Sequence, residues 1–104
     1  MGLLSKAAVK AGDTEYEVRE YHKTHPSFQC LVLEFPWEEK LSRMTANFGV
    51  AFPLSPENSL VLIPGGMDRE LLAHRLSKSL PARILNQFQA ADPGEALELL
   101  APYR

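Results

Sequence analysis

Apolar residues are spaced along this chain in two rhythms. The run Phe28-Gln29-Cys30-Leu31-Val32-Leu33-Glu34-Phe35 is nearly continuous in apolar side chains, as in a strand covered on both faces. Pro36 stops it and suits the first turn of a helix. Across residues 37–48 the apolar positions are Trp37, Leu41, Met44 and Phe48, a single helical stripe. Glu38 and Glu39 fall in its first turn, where the helix dipole favours acids, and Gly49 is placed to end it. Next come Val50-Ala51-Phe52-Pro53-Leu54 and Ser59-Leu60-Val61-Leu62-Ile63, with Ser55-Pro56-Glu57-Asn58 between them. Two short apolar runs around such a turn predict a β-hairpin, with Pro53 forcing the first arm to an edge or a bulge. Pro64-Gly65-Gly66 makes a tight exit. Asp68 caps a predicted helix running to about Leu80, with Leu71, Leu72, Leu76 and Leu80 on its buried face, and Pro81 ends it. Ile84, Leu85 and Phe88 mark a last strand over residues 82–90. Asp92-Pro93-Gly94-Glu95 opens a final helix that carries Leu97, Leu99 and Leu100 and stops at Pro102.

The N-terminal quarter has a different character. In residues 3–11, Leu3, Leu4, Ala7, Ala8 and Ala11 share one helical face, and Gly12 breaks the pattern. Residues 12–26 are polar and charged. Tyr16 and Val18 alternate with charges, so a short edge strand and a linker both fit. The expected organisation is an N-terminal helix and polar linker over residues 1–26, then a single α+β domain over residues 27–104. The central order strand, helix, strand, strand, helix, strand matches a ferredoxin-like βαββαβ core with extra N- and C-terminal helices. That core has an antiparallel four-stranded sheet with two helices on one face. The alternative hinges on residues 50–54. If they form a loop, three strands alternate with three helices in a small three-stranded α/β sheet.

Composition narrows the class. The 104 residues are 45% hydrophobic and 23% charged, the balance of one globular domain. A net charge of −2 argues against nucleic acid and anionic membrane, which call for a basic stripe. RNA-recognition domains of this element order stack bases on aromatics of the two central strands; residues 60–63 carry none. A single cysteine, Cys30, permits no intrachain disulfide and fits a reducing compartment. Residues 2–11 lack the cleavage site of a signal peptide, Lys6 occupies the Ser/Thr position of a myristoylation signal, and no apolar run approaches transmembrane length. A cytoplasmic, soluble protein is expected.

Candidate chemistry is sparse. His22, His25 and Cys30 give an H-x-x-H-x4-C spacing, but structural zinc sites use four ligands, and Cys30 falls in a predicted buried strand. No metal and no cofactor are expected. Cys30 has only apolar or neutral sequence neighbours, which suits a core thiol rather than a nucleophile. Glu34 interrupts an apolar strand, as a buried carboxylate or as a strand end reaching solvent. His74, Arg75 and Lys78 lie away from the Leu stripe and offer an anion-binding or a merely solvated face. Gly65, Gly66 and Asp68, between a strand and a helix, are the ligand candidates, because such a turn can present N–H groups to an anion. It lacks the Lys-Ser/Thr of a P-loop, and a simple turn that needs glycine also accounts for it.

Residues 50–80, about a third of the chain, loosely resemble the hairpin and following helix of a GGDEF-type cyclase domain: apolar arms, a turn, then Val61-Leu62-Ile63-Pro64 and a Leu-bearing helix. Ser55-Pro56-Glu57-Asn58 stands in place of the Gly-Gly-Asp/Glu-Glu-Phe signature, and the metal-binding carboxylate of the first strand is not recognisable. The resemblance therefore implies a degenerate module without activity. The residues themselves point first to a non-catalytic regulatory or protein-interaction domain. A homodimer or a protein partner would use Leu3, Leu4, Leu97 and Leu100. The alternatives are a small-ligand or anion sensor at the Pro64–Asp68 turn and, last, a small enzyme using Glu34 or His74.

Overall fold

Residues 28–34 form a strand because both of their faces find apolar cover. The computed structural model describes residues 14–68 and 83–104, with Glu70, His74 and Lys78 between them. Among these residues the chain is a compact α+β domain with a four-stranded antiparallel sheet and three α-helices. The elements are α1 (Thr14–Thr24), β1 (Phe28–Glu34), α2 (Glu39–Thr45), β2 (Val50–Pro53), β3 (Ser59–Pro64), β4 (Arg83–Ala90) and α3 (Pro93–Leu100), closed by a 3-10 turn over Ala101–Tyr103.

The strand order is β2-β3-β1-β4, and each neighbouring pair is antiparallel. The hairpin is formed, with Phe52 opposite Leu60 and Pro53 opposite Ser59, so the three-stranded alternative does not apply. Pro53 ends an edge strand, where its missing N–H does no harm. In the turn, Ser55 N–H donates to Asn58 O and Asn58 N–H donates back to Ser55 O.

Alternation divides β1 and β3 between two cores. Phe28, Cys30, Val32, Leu60 and Leu62 pack with Val18 of α1 and with Ala96 and Leu100 of α3. Leu31, Leu33, Val61 and Ile63 pack with Leu41 of α2. All of these side chains are fully buried. The C-terminal helix thus covers a face of the sheet, together with a helix that the sequence does not announce.

That helix is α1. The polar stretch expected as a linker or edge strand is helical over Thr14–Thr24. Val18 is buried and Tyr21 packs on the same core. Glu15 and Glu17 lie in the first turn and His22 and Lys23 in the last, which matches the helix dipole. Arg19 pairs with Glu15 at 3.1 Å and Lys23 with Glu20 at 2.7 Å, both on the exposed side of the helix.

α2 is shorter than its stripe. It starts after Glu38, which is extended and makes no side-chain cap, so Pro36 lies outside the helix rather than in its first turn. The stripe still works as expected: Leu41 is buried, and Trp37, Met44 and Phe48 pack around the same core. Trp37 Nε1 donates to Ala51 O at 3.1 Å, and Thr45 Oγ1 donates back to Leu41 O at 3.1 Å. Gly49 N–H closes the end on Thr45 O at 2.8 Å. A Cβ at Gly49 would collide with the Leu62 carbonyl, so β3 can pass there only beside glycine.

Asp92 caps α3 as expected, its Oδ2 accepting from Glu95 N–H at 3.0 Å. The buried positions are Pro93, Ala96 and Leu100, while Leu99 faces solvent. The chain then continues into the 3-10 turn through Pro102 instead of stopping there. The predicted stripe of Leu71, Leu72, Leu76 and Leu80 lies outside the described residues. Glu70, His74 and Lys78 are helical and exposed.

Candidate functional site

Two features of the described surface have shape and chemistry that a ligand or partner can use. The first is the sheet edge at β4. Among the described residues β4 has a strand neighbour on one side only, β1. Natural edge strands are kept from pairing by shortness, charge, proline or bulges. β2, the other edge, has four residues and ends in Pro53. β4 has eight residues, and from Ile84 to Ala90 it contains no charge and no proline. Its one irregularity falls near the start, where the register against β1 shifts between Val32 and Leu33. Asn86 pairs with Val32 and Ile84 with Leu33, which leaves Leu85 as the extra residue.

From Asn86 to Ala90 the ladder is regular. Asn86, Phe88 and Ala90 oppose Val32, Cys30 and Phe28, on the face of α1 and α3. Gln87 and Gln89 oppose Leu31 and Gln29, on the face of α2. Phe88 and Leu85 pack against the core while remaining partly accessible. Gln89 is exposed, and its Nε2 donates to Ser27 Oγ at 2.8 Å. Gln87 N–H donates to Asn86 Oδ1 at 2.8 Å. Charge appears only at the strand's first residue, where Arg83 lies 3.6 Å from Glu34. Glu34 therefore sits at a strand end in solvent, not in the core.

The second feature is a cleft of about 340 Å³ at one end of the sheet. It is lined by Tyr21 and His25 after α1, by Asn47, Phe48, Gly49 and Val50 before β2, and by Pro64 and Met67 after β3. The Tyr21 and His25 rings stack at 4.1 Å between centroids, 9° from parallel. Burial pushes the Tyr21 hydroxyl up to about 12, so it is neutral. Among the described residues the lining has no Lys or Arg.

Gly65, Gly66 and Asp68 lie beside this cleft rather than in its lining. Gly65 N–H donates to Ser27 O at 3.0 Å and Met67 N–H to Pro64 O at 3.3 Å, so those two donors are already engaged. Neither glycine has a positive φ. Gly65 is required for a different reason: a Cβ there would collide with the Ser27 backbone, whereas one at Gly66 would meet nothing. Beneath the turn lies a residue that the sequence reading passes over. Gln29 is fully buried, and its Nε2 donates to Met67 O at 2.8 Å, Gly65 O at 3.3 Å and Pro64 O at 3.4 Å. Its Oε1 is buried without a partner. The one amide in an otherwise apolar run was the available signal, because a buried amide must find hydrogen bonds.

The remaining candidates are dispersed. His22 Nε2 contacts Ala91 O at 3.1 Å, and His25 Nδ1 contacts Thr24 Oγ1 at 2.9 Å. Cys30 is buried, and that burial pushes its thiol up to about 12, the opposite of what a nucleophile needs. Among the described residues no three His, Cys, Asp or Glu side chains converge as metal ligands. His74 and Lys78 are exposed; Arg75, Leu3 and Leu4 lie outside the described residues. Leu100 is fully buried and Leu97 packs against the same core. Among the described residues the large apolar side chains most open to solvent are Tyr16, Val50 and Leu99. None of the described helices is long and apolar enough to cross a membrane.

No protein-family model matches the chain, and neither a curated protein nor a solved structure matches it.

Proposed function

We propose that the chain is a non-catalytic protein-interaction domain that engages its partner through the β4 edge. The observation that carries this reading is the contrast between the two edges. β2 is short and proline-ended; β4 is long and free of charge and proline after Arg83. Both faces of β1 and β3 are covered, so an edge is where further backbone can be added. β-strand addition supplies affinity through main-chain hydrogen bonds and selectivity through alternate side chains. As part of the same proposal, the order β2-β3-β1-β4 is taken as a ferredoxin-like core with α1 and α3 added over its second face, and a reducing, cytoplasmic setting suits the lone buried thiol.

The test is an NMR titration of the labelled chain with a soluble, uncharged eight-residue peptide that alternates apolar and polar residues. Shift changes are expected along β4 and its neighbour β1. Changes confined to the cleft at Tyr21, Phe48 and Met67, or no changes at all, would remove this reading.

A further inference from the structure

We infer that the cleft at the end of the sheet is a binding site for a small, neutral, planar nitrogen heterocycle of the nucleobase class. This goes beyond the β4 reading and does not depend on it, because the cleft lining and β4 share no described residue.

Three segments meet at the cleft. α1 delivers Tyr21 and, just past its last residue, His25; the link from α2 to β2 delivers Asn47 and Phe48; the turn after β3 delivers Pro64 and Met67. Each segment is held by hydrogen bonds of its own. His25 N–H donates to Tyr21 O at 2.9 Å, and the N–H groups of Phe48 and Gly49 donate to Thr45 O at 3.0 and 2.8 Å. Gln29 Nε2 clamps the carbonyls of Pro64, Gly65 and Met67. The walls are thus set before a ligand arrives, which lowers the ordering cost of binding. Asn47 and Val50 are exposed, so the cleft opens to solvent.

The walls select the class of ligand. The rings of Tyr21, His25 and Phe48 and the Met67 thioether belong to partly buried lining residues. Rings and a thioether favour contact with a further ring. A charged group would lose its hydration against Phe48, Pro64 and Met67. The volume of about 340 Å³ is at the lower end of the roughly 300–1,000 Å³ of small-molecule sites, which suits one or two fused rings.

Three polar groups complete the fit. Among the described residues no hydrogen bond engages the Tyr21 hydroxyl, His25 Nε2 or the Asn47 side-chain amide. The Thr24 hydroxyl donates to Tyr21 O at 3.3 Å, so from His25 Nδ1, 2.9 Å away, it accepts. In the neutral imidazole this leaves Nε2 as an acceptor. The Tyr21 hydroxyl, kept protonated by burial, can donate, and the Asn47 amide does both. A nucleobase edge carries N–H donors and ring-nitrogen acceptors, and so has partners for all three; an aliphatic ring does not.

An NMR titration of the full labelled chain with adenine tests this, with cyclohexanol as the aliphatic control. Saturable shifts are expected at Tyr21, Asn47, Phe48 and Met67 with adenine and not with cyclohexanol. Tyr21→Phe keeps the ring and removes only the hydroxyl, and Asn47→Ala changes an exposed side chain. Each should keep the wild-type circular dichroism and weaken adenine binding by roughly two- to tenfold, the range for one hydrogen bond. The proposal is overturned if no shift saturates up to the solubility limit of adenine, if cyclohexanol binds as tightly, or if either variant binds adenine as the wild type does. Tighter binding of a single-stranded adenine oligonucleotide would also overturn it, because the site would then serve a nucleic acid rather than a small molecule.

Discussion

Gly65 and Gly66 are neighbours under opposite constraints. A methyl group at Gly65 would enter the Ser27 backbone, while at Gly66 it would meet open space, and neither residue has a positive φ. Gly65→Ala is therefore expected to cost about 1–3 kcal/mol, the range for overpacking, and Gly66→Ala to stay within about 0.5 kcal/mol of wild type. Urea denaturation of the two variants checks this, and equal costs would contradict it. Cys30 makes a second prediction. Burial raises its thiol to about 12 from an ordinary value near 9. The unfolded chain therefore ionises first, and stability is lost as pH rises from about 9 to 12. The slope is at most about 1.4 kcal/mol per pH unit. Tyr21, also raised by burial, acts in the same direction. Cys30→Ala should flatten this alkaline limb; unfolding curves that stay parallel to wild type over the window would contradict the burial account. At this scale the sequence shows which residue types are present but not their partners. Gln29 reads as a minor interruption of an apolar run, yet it ties down three carbonyls of a turn 35 to 38 residues away.

Among elements, legibility follows how much of the burial a helix or strand carries in its own side chains. β1 and β3 are plain because burial on both faces leaves few polar positions in residues 28–35 and 59–63. α2 is plain as a stripe but not in length, since Trp37 and Phe48 pack from outside the seven helical residues. α1 escapes because its buried positions are Thr14 and Val18, with Tyr21 only partly covered. Its stability comes from docking on the sheet and from its charge order, neither of which produces an apolar period. α3 is announced by its cap. Asp92→Ala removes the acceptor for Glu95 N–H and should cost about 1 kcal/mol. Asp92→Asn should recover most of that loss in thermal unfolding, because it keeps an acceptor oxygen. Equal losses for both variants would mean that the cap does not act through this hydrogen bond.

For the whole molecule, the central consequence is how the two faces are filled. α1 and α3 cover one side of the sheet and α2 packs on the other, which leaves the edges as the places where backbone can be extended. In the apolar C-terminal segment that the sequence suggests as a partner surface, Leu100 is buried inside the domain, Leu97 is partly buried against the same core and Leu99 faces solvent. The β4 edge could not be read from the chain alone, because an edge is defined by strand order, and strand order depends on long-range pairing. What the sequence does contain is the uncharged, proline-free run that sets this edge apart from β2 once it is placed there. The most direct measurement is backbone amide hydrogen exchange along β4 and β2 with and without the uncharged eight-residue peptide. The Gln89 amide, which points away from β1, is expected to slow when the peptide is present, while the amides of β2 stay unchanged. Exchange at Gln89 that the peptide leaves unaltered, or that slows equally in β2, would contradict the claim that β4 takes up a second strand.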